Sequence, residues 1–318
     1  MNINYGMEMV RATEIAALTA ARLQGLGDYR DILGQSRTAI ARIFNRIDID
    51  GAIVNDRFSV FDQSSLPQKV GLAGEDAPQM AIMPFALEAC KSAADGRNNA
   101  ASFAVIGEAG AIQTVPNLSM YKIVVGTKVG DVIDINQPPI INVKRTARAL
   151  GKYTDNVTVC ILNQARHHQL IREIRSCGAR IKLIEEGEIS GCLAAITGEK
   201  ADIYMGYGYA AEGVMAAAAI SCLGGYFEGK IYYENDRDKT EAVNHGIDDF
   251  EKIFRVEDLI KSKKELALAA TGVTDGEFLE GVRFTPNGAV TSSFIARAET
   301  RTRRKLETTH FFDYKPVF

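Results

Sequence analysis

Long apolar runs, cysteine pairs and an excess of charge of either sign are all missing from this chain. Nowhere in its 318 residues do about 18 apolar residues follow one another, and the start Met1-Asn2-Ile3-Asn4-Tyr5-Gly6 lacks the basic-then-apolar order of an export signal. A membrane span is therefore not expected. Cys90, Cys160, Cys177, Cys192 and Cys222 are odd in number, show no C-x-x-C spacing and mostly sit in apolar runs. They read as reduced, buried thiols of a cytoplasmic protein, which disfavours a disulfide framework and a zinc site. Lys and Arg number 37 against 40 Asp and Glu, a formal charge of −3, so no global field recruits nucleic acid or an anionic membrane. No repeat or low-complexity segment interrupts the chain. Its length suits two domains of roughly 100–200 residues and a sizeable core.

What is present is a change of rhythm along the chain. Met7, Val10, Ala17, Leu18 and Ala21 share one helical stripe within residues 7–24, closed by Gly25. Ile40, Ile43, Phe44 and Ile47 repeat at helical spacing and predict a second helix over 36–47, capped by Ser36. A short strand follows at 52–54. Residues 101–106 and 111–115, joined by Gly107-Glu108-Ala109-Gly110, read as a hairpin. Beyond Pro138-Pro139, residues 141–150 form a helix that enters a second domain. Strands at 157–162, 180–184 and 202–206 then alternate with helices at 166–177, 188–197 and 211–223, the order of parallel βαβ crossovers. The expected domains are 1–140, α/β with a mixed or antiparallel sheet, and 141–318, whose last ~50 residues can pack back on the first part. Ligands of open α/β sheets lie at the carboxyl ends of the strands, here 163–167, 185–188 and 207–213.

Three motifs fall in those loops. Gly206-Tyr207-Gly208-Tyr209-Ala210-Ala211-Glu212-Gly213 ends a strand and opens a helix, so its amides can receive a phosphate, although it is neither a Walker A loop nor G-x-G-x-x-G. A glycine-permitted tight turn, with Glu212 answering the helix dipole, is the plainer alternative. Glu185-Glu186-Gly187-Glu188 can hold sugar hydroxyls or a cation, or be a solvated turn. Arg166-His167-His168 can hold a phosphate, or simply be exposed. The run Arg301-Thr302-Arg303-Arg304-Lys305 near the C-terminus suits an anion or a partner subunit, or a solvated strand.

Over almost its whole length the chain resembles the class II fructose-1,6-bisphosphatases, a family that includes sedoheptulose-bisphosphatases. The likeness runs in order through Arg11-Ala12-Thr13-Glu14-Ile15-Ala16-Ala17, Gly25-Leu26-Gly27-Asp28, Ile49-Asp50-Gly51-Ala52-Ile53-Val54, Ala149-Leu150-Gly151-Lys152, Ala165-Arg166-His167 and Gly206-x-Gly208-x-Ala210-Ala211-Glu212-Gly213-Val214. It continues through Ala270-Thr271-Gly272-Val273-Thr274-Asp275-Gly276, Leu279-Glu280-Gly281-Val282 and the stretch from Arg301 to His310. The resemblance implies a layered αβαβα sandwich of the sugar-phosphatase type, an oligomer, and Mg- or Mn-assisted hydrolysis of a sugar 1-phosphate.

Hard divalent cations need clustered carboxylate oxygens. At the family's ligand positions the resemblance places Leu33, Arg57, Met83 and Ala86, and only Glu212 matches. Met83-Pro84-Phe85-Ala86-Leu87-Glu88 stands where the family has Asp-Pro-Ile-Glu-Gly-Thr, and Asp56-Arg57-Phe58-Ser59 where it has Gly-Glu-Gly-Glu. A guanidinium in place of a carboxylate reverses the field, an effect of roughly 4 kcal/mol per unit charge at about 4 Å. On the substrate side Arg166 matches, Glu186 and Glu188 replace two Asp, Ser119 replaces a sugar-binding Tyr, Tyr209 replaces a glycine and Tyr29 a usual Lys. These substitutions imply a catalytically degenerate member without a metal cofactor, serving as a regulatory or structural subunit in a homo-oligomer or beside an active relative. Two alternatives stand beside it. One is an active Mg- or Mn-dependent phosphatase rebuilt on Asp31, Asp56 or Glu88. The other is a sugar-phosphate sensor using Arg166, Glu186, Glu188 and the Gly206–Gly213 segment.

Overall fold

The computed structural model describes residues 4–55 and 68–314. The helices in chain order are α1 (Tyr5–Arg22), α2 (Tyr29–Phe44), α3 (Cys90–Ala94), α4 (Pro139–Leu150), α5 (His168–Ser176), α6 (Glu188–Thr197), α7 (Ala210–Leu223), α8 (Asp236–Asn244) and α9 (Val256–Leu259). Strands β1 (Asp50–Ile53), β2 (Gln68–Val70), β3 (Gln79–Glu88) and β4 (Ala101–Glu108) precede β5 (Ser119–Val125), β6 (Thr158–Leu162), β7 (Arg180–Ile184), β8 (Ile203–Tyr209) and β9 (Tyr226–Tyr232). The last four are β10 (Ala267–Gly272), β11 (Arg283–Thr285), β12 (Gly288–Arg297) and β13 (Thr302–Phe311). Among the described residues no helix is long and apolar enough to cross a membrane. The chain divides into two compact units, Met1–Ile112 with Ser262–Phe318, and Gln113–Lys261.

The first unit holds a mixed sheet in the order β11-β12-β10-β4-β3-β1-β2, with β13 paired to β12. Only β1 and β3 run parallel among its described pairs. Helix α1 is rich in alanine on its buried side, and those small side chains let it lie close against the sheet. Met9, Val10 and Ile15 meet Ile82, Ile106 and Ile295 in one apolar cluster. A chain of hydroxyls crosses this contact as well. Thr13 bonds Thr271 at 2.8 Å, Thr271 bonds Ser293 at 2.9 Å, and Thr291 bonds His310 Nε2 at 2.8 Å and donates to Glu14 at 3.3 Å. Such bonds fix the register of α1 on the strands, because polar groups buried without partners are costly.

Two expectations in this unit need correction. Helix α2 starts at Tyr29, where Asp28 caps it by accepting from the amides of Arg30 and Asp31, both at 3.0 Å. Ser36 lies inside the helix and donates back to Ile32 O at 2.7 Å, a bond open to serine in mid-helix as well as at a cap. The hairpin expected from 101–115 is also absent, since β4 pairs with β3 on one side and with β10 on the other. Strand β4 is buried along nearly its full length and needs a neighbour at each edge, and one of them arrives from far along the chain.

The second unit is a five-stranded sheet in the order β7-β6-β8-β5-β9. Its parallel core of β7, β6 and β8 is the expected βαβ portion. Strands β5 and β9 extend it antiparallel, so a boundary near residue 140 falls inside this unit: β5, which precedes it, pairs with β8 and β9. One face is covered by α4 and α5, whose Val143, Ala147, Leu170, Ile171 and Ile174 pack on Ile123, Val159, Ile161 and Ile203. The buried helices α6 and α7 belong to the opposite face. With helices on two mixed sheets, the chain is an α/β protein of the expected class.

Candidate functional site

The carboxyl ends of β6 and β8 are joined by one histidine. Leaving β6, the chain makes a single helical turn at Ala165–His167 before α5, and this turn buries the His167 ring completely. Nδ1 of His167 lies 2.9 Å from Leu162 O, and Nε2 lies 2.8 Å from the amide nitrogen of Tyr207. A carbonyl only accepts and an amide only donates, so Nδ1 carries the proton and Nε2 is the acceptor. Burial holds the imidazole neutral by pushing its pKa down to about 4, with the nearby charges of Arg166 and Lys122 acting in the same direction. The phosphate reading of Arg166-His167-His168 therefore loses its histidine core. His167 is a staple between strands, while Arg166 stays exposed and donates from Nη2 to Tyr207 O at 3.0 Å.

A second junction lies on the other face of the sheet. Lys122 comes from β5 and is fully buried, and its ammonium meets Glu188 Oε1 at 2.7 Å. The same nitrogen donates to Tyr209 O at 2.9 Å and Met120 O at 3.3 Å, so the buried ammonium is held by two carbonyls as well as by the ion pair. Glu188 opens α6 after Gly187, whose φ of +91° suits glycine. Its carboxylate fills the space above Gly208: a Cβ there would stand 1.5 Å from Glu188 Oε2. Gly208 is thus required by a close approach of a buried side chain. Tyr204 projects into the same region, with its hydroxyl buried and lacking a hydrogen-bond partner among the described residues.

This geometry separates the expected site residues. Glu188 is buried in its ion pair, Glu186 is half-buried, and exposed Glu185 accepts from Asn163 Nδ2 at 2.7 Å, so Glu185-Glu186-Gly187-Glu188 is not one cluster. The segment expected as a loop after residue 206 is not one either: β8 runs through Tyr209 and α7 begins at Ala210. At the positive end of α7 stands its own carboxylate, for Glu212 Oε2 accepts from the Tyr209 amide at 3.1 Å. Ser119 donates to Gly208 O at 3.3 Å, and Tyr209 is half-buried. In the first unit Leu33 packs against the cluster of Ala17, Leu87 and Ala93, Met83 is fully buried in β3, and Ala86 belongs to the core under α1. Arg57 and Asp56 lie outside the described residues. Arg303, Arg304 and Lys305 are exposed along β13.

Whether a divalent cation fits is a question of donor chemistry. The side chains of Leu33, Met83 and Ala86 offer no oxygen, and hard cations take six or more oxygen ligands. Among the described residues no group of three His, Cys, Asp or Glu side chains converges. The residues described do not fit the metal set that the resemblance assigns.

What the structure does bring together beside Arg166 is a cleft of about 1020 Å3 in the second unit, lined by Tyr121, Tyr207, Lys230, Tyr232 and Phe250 among others. Its origin is register: Tyr121 sits opposite both Tyr207 and Lys230 on adjoining strands, and residues paired this way share a face. The rings of Tyr121 and Tyr207 lie 4.9 Å apart, and Tyr232 meets Tyr207 edge-on at 6.3 Å. Burial raises the pKa of Tyr121 above its ordinary value, so its phenol keeps its proton. Lys230 is ion-paired with Glu251, whereas no acid pairs with Arg166 among the described residues. Neither Lys122 nor this aromatic wall was singled out in the sequence. The available signals were a lysine at an inward position of Ser119–Val125 and a tyrosine within each of the segments Ser119–Val125, Ile203–Tyr209 and Tyr226–Tyr232.

Residues 3–310 match the family model described as bacterial fructose-1,6-bisphosphatase, glpX-encoded. Three curated proteins named D-fructose 1,6-bisphosphatase class 2/sedoheptulose 1,7-bisphosphatase are similar along nearly their full length. That of Synechococcus sp. strain JA-2-3B'a(2-13) is 32% identical over 98% of this chain and 97% of its own. That of Synechococcus sp. strain JA-3-3Ab is 31% identical with the same coverage. In Synechococcus elongatus strain ATCC 33912 / PCC 7942 / FACHB-805 the relative is 30% identical over 98% of each chain.

Proposed function

The chain belongs to the bacterial fructose-1,6-bisphosphatase family, and from that premise we propose that it is a non-hydrolysing member acting as a regulatory or structural subunit in carbohydrate metabolism. What supports this reading is the character of the side chains that the resemblance places at the family's metal-ligand positions. Met83 and Ala86 are buried and apolar, and Leu33 packs on an apolar cluster, so none of the three offers a cation the carboxylate that would replace its hydration. Glu212, the one matching carboxylate, is engaged with the Tyr209 amide of its own helix start.

The test is phosphate release by the purified full-length chain from fructose 1,6-bisphosphate and sedoheptulose 1,7-bisphosphate, with Mg2+ or Mn2+. Release no faster than a buffer control is expected, and robust turnover would establish the active alternative. A second reading, sugar-phosphate binding without hydrolysis, is favoured by exposed Arg166 beside the tyrosine-lined cleft. Calorimetric titration with fructose 1,6-bisphosphate in EDTA should then give a heat that Arg166→Ala removes; an unchanged affinity in that variant eliminates this site.

A further inference from the structure

Helices α1 and α2 enclose a groove of about 810 Å3 in the first unit, with an apolar floor that includes Leu18 and Ile43. Arg22, Arg30, Arg42 and Arg46 line it against the single carboxylate of Asp31. Helix dipoles account for an arginine in the last turn of each helix, Arg22 and Arg42, but not for Arg30 in the first turn of α2. Arg22 lies over the Phe312 ring at 4.9 Å and Arg30 donates to the Tyr29 hydroxyl at 3.2 Å. Among the described residues no acid forms an ion pair with any of the four, whereas exposed cations elsewhere, such as Arg11 with Glu8 and Lys252 with Asp258, do so. The groove is cationic in a chain whose formal charge is −3.

We propose that this groove docks an acidic, amphipathic helix of a partner protein, its apolar stripe on the floor and its carboxylates at the two ends. Length and charge select this occupant. Arg30 and Arg42 are separated by three turns of α2, about 18 Å at 1.5 Å per residue, so the guanidiniums form two groups at opposite ends. A compact sugar bisphosphate reaches only one of them. A helix with acids about twelve residues apart reaches both, and the apolar floor between takes its i, i+3, i+4, i+7 face. A two-fold contact between copies of this chain would set arginine against arginine, because such an interface is self-complementary. Docking here does not depend on whether the chain hydrolyses a phosphate ester.

The experiment uses the full-length chain and a fluorescein-labelled synthetic helix with a leucine stripe and two glutamates at each end. Anisotropy should report saturable binding that weakens with added salt, and at least tenfold weaker binding when the glutamates are glutamines. Charge reversal at both ends, Arg30→Glu with Arg42→Glu, should weaken it at least tenfold while the circular dichroism and melting temperature stay unchanged. Both side chains are exposed, and a glutamate gained in the first turn of α2 offsets one placed in its last turn, so the fold is kept. The proposal is overturned if the peptide fails to bind, if reversal leaves its affinity unchanged, if fructose 1,6-bisphosphate or a DNA oligonucleotide displaces it as well as unlabelled peptide does, or if the reversal dissociates an oligomer of the chain itself.

Discussion

Replacing Lys122 by methionine should cost the fold about 3–5 kcal/mol, because the change removes the cation of a buried pair and leaves the anion behind. Methionine keeps the volume and flexibility of the lysine stem, so the loss reports charge more than packing. Lys122 is 0% exposed and the Glu188 side chain 5%, at 2.7 Å from each other. At that separation the attraction is roughly 6 kcal/mol for an effective dielectric of 20, and desolvation of the two ions opposes it. Glu188→Gln should cost less, about 1–3 kcal/mol, because the ammonium left behind keeps its bonds to Tyr209 O and Met120 O. The double variant should lose less than the two single losses added together, with a coupling of about 2 kcal/mol or more. Urea unfolding at pH 7, followed by circular dichroism, measures all four corners of the cycle. A Lys122→Met loss under about 1 kcal/mol, or strict additivity, would refute the buried pair as described. A fold with a total stability of about 5–15 kcal/mol would register the single charge deletion as a large effect.

Three further outcomes follow from the same region. Gly208→Ala should destabilise by about 3 kcal/mol or more, since its Cβ would overlap Glu188 Oε2 and break the pair; soluble protein with an unchanged melting temperature contradicts this. Stability should fall on acidification between pH 6.5 and about 4, where the unfolded chain binds a proton at His167 and the folded chain does not, a loss of about 3 kcal/mol that is absent above pH 6.5. Unfolding midpoints across that window should drop more steeply for the natural chain than for His167→Gln, and parallel curves would exclude His167 as the cause. Tyr204→Phe should leave stability within about 0.5 kcal/mol or raise it, because the buried hydroxyl has no partner among the described residues to lose; thermal melts showing a loss above about 1.5 kcal/mol would reveal a partner.

The sequence by itself determined the elements whose pattern is local. The stripe of Leu170, Ile171 and Ile174, the βαβ alternation from β6 to α7 and the buried Val10, Ala17, Leu18 and Ala21 of α1, though not the exposed Met7, could be read from spacing, because helix and strand periods need only near neighbours. Family membership was legible as well, since its motifs recur in order along nearly the whole chain. Only the tertiary structure decided which strands flank β4, that β5 and β9 complete the second sheet, and that Ser36 turns inward while Asp28 caps α2. It also decided the fate of the candidate site residues. Glu188 read as a substrate-binding carboxylate or part of a solvated turn until Lys122, 66 positions earlier, met it across two elements, and the Arg166-His167-His168 triplet read as a phosphate site or an exposed turn until both nitrogens of His167 were taken by Leu162 and Tyr207. Four arginines scattered through residues 22–46 became one groove only when α1 and α2 lay side by side. The physical reason is common to these cases: periodicity is a property of adjacent residues, whereas the solvation and partner of a charge depend on what distant chain segments bring within a few ångströms.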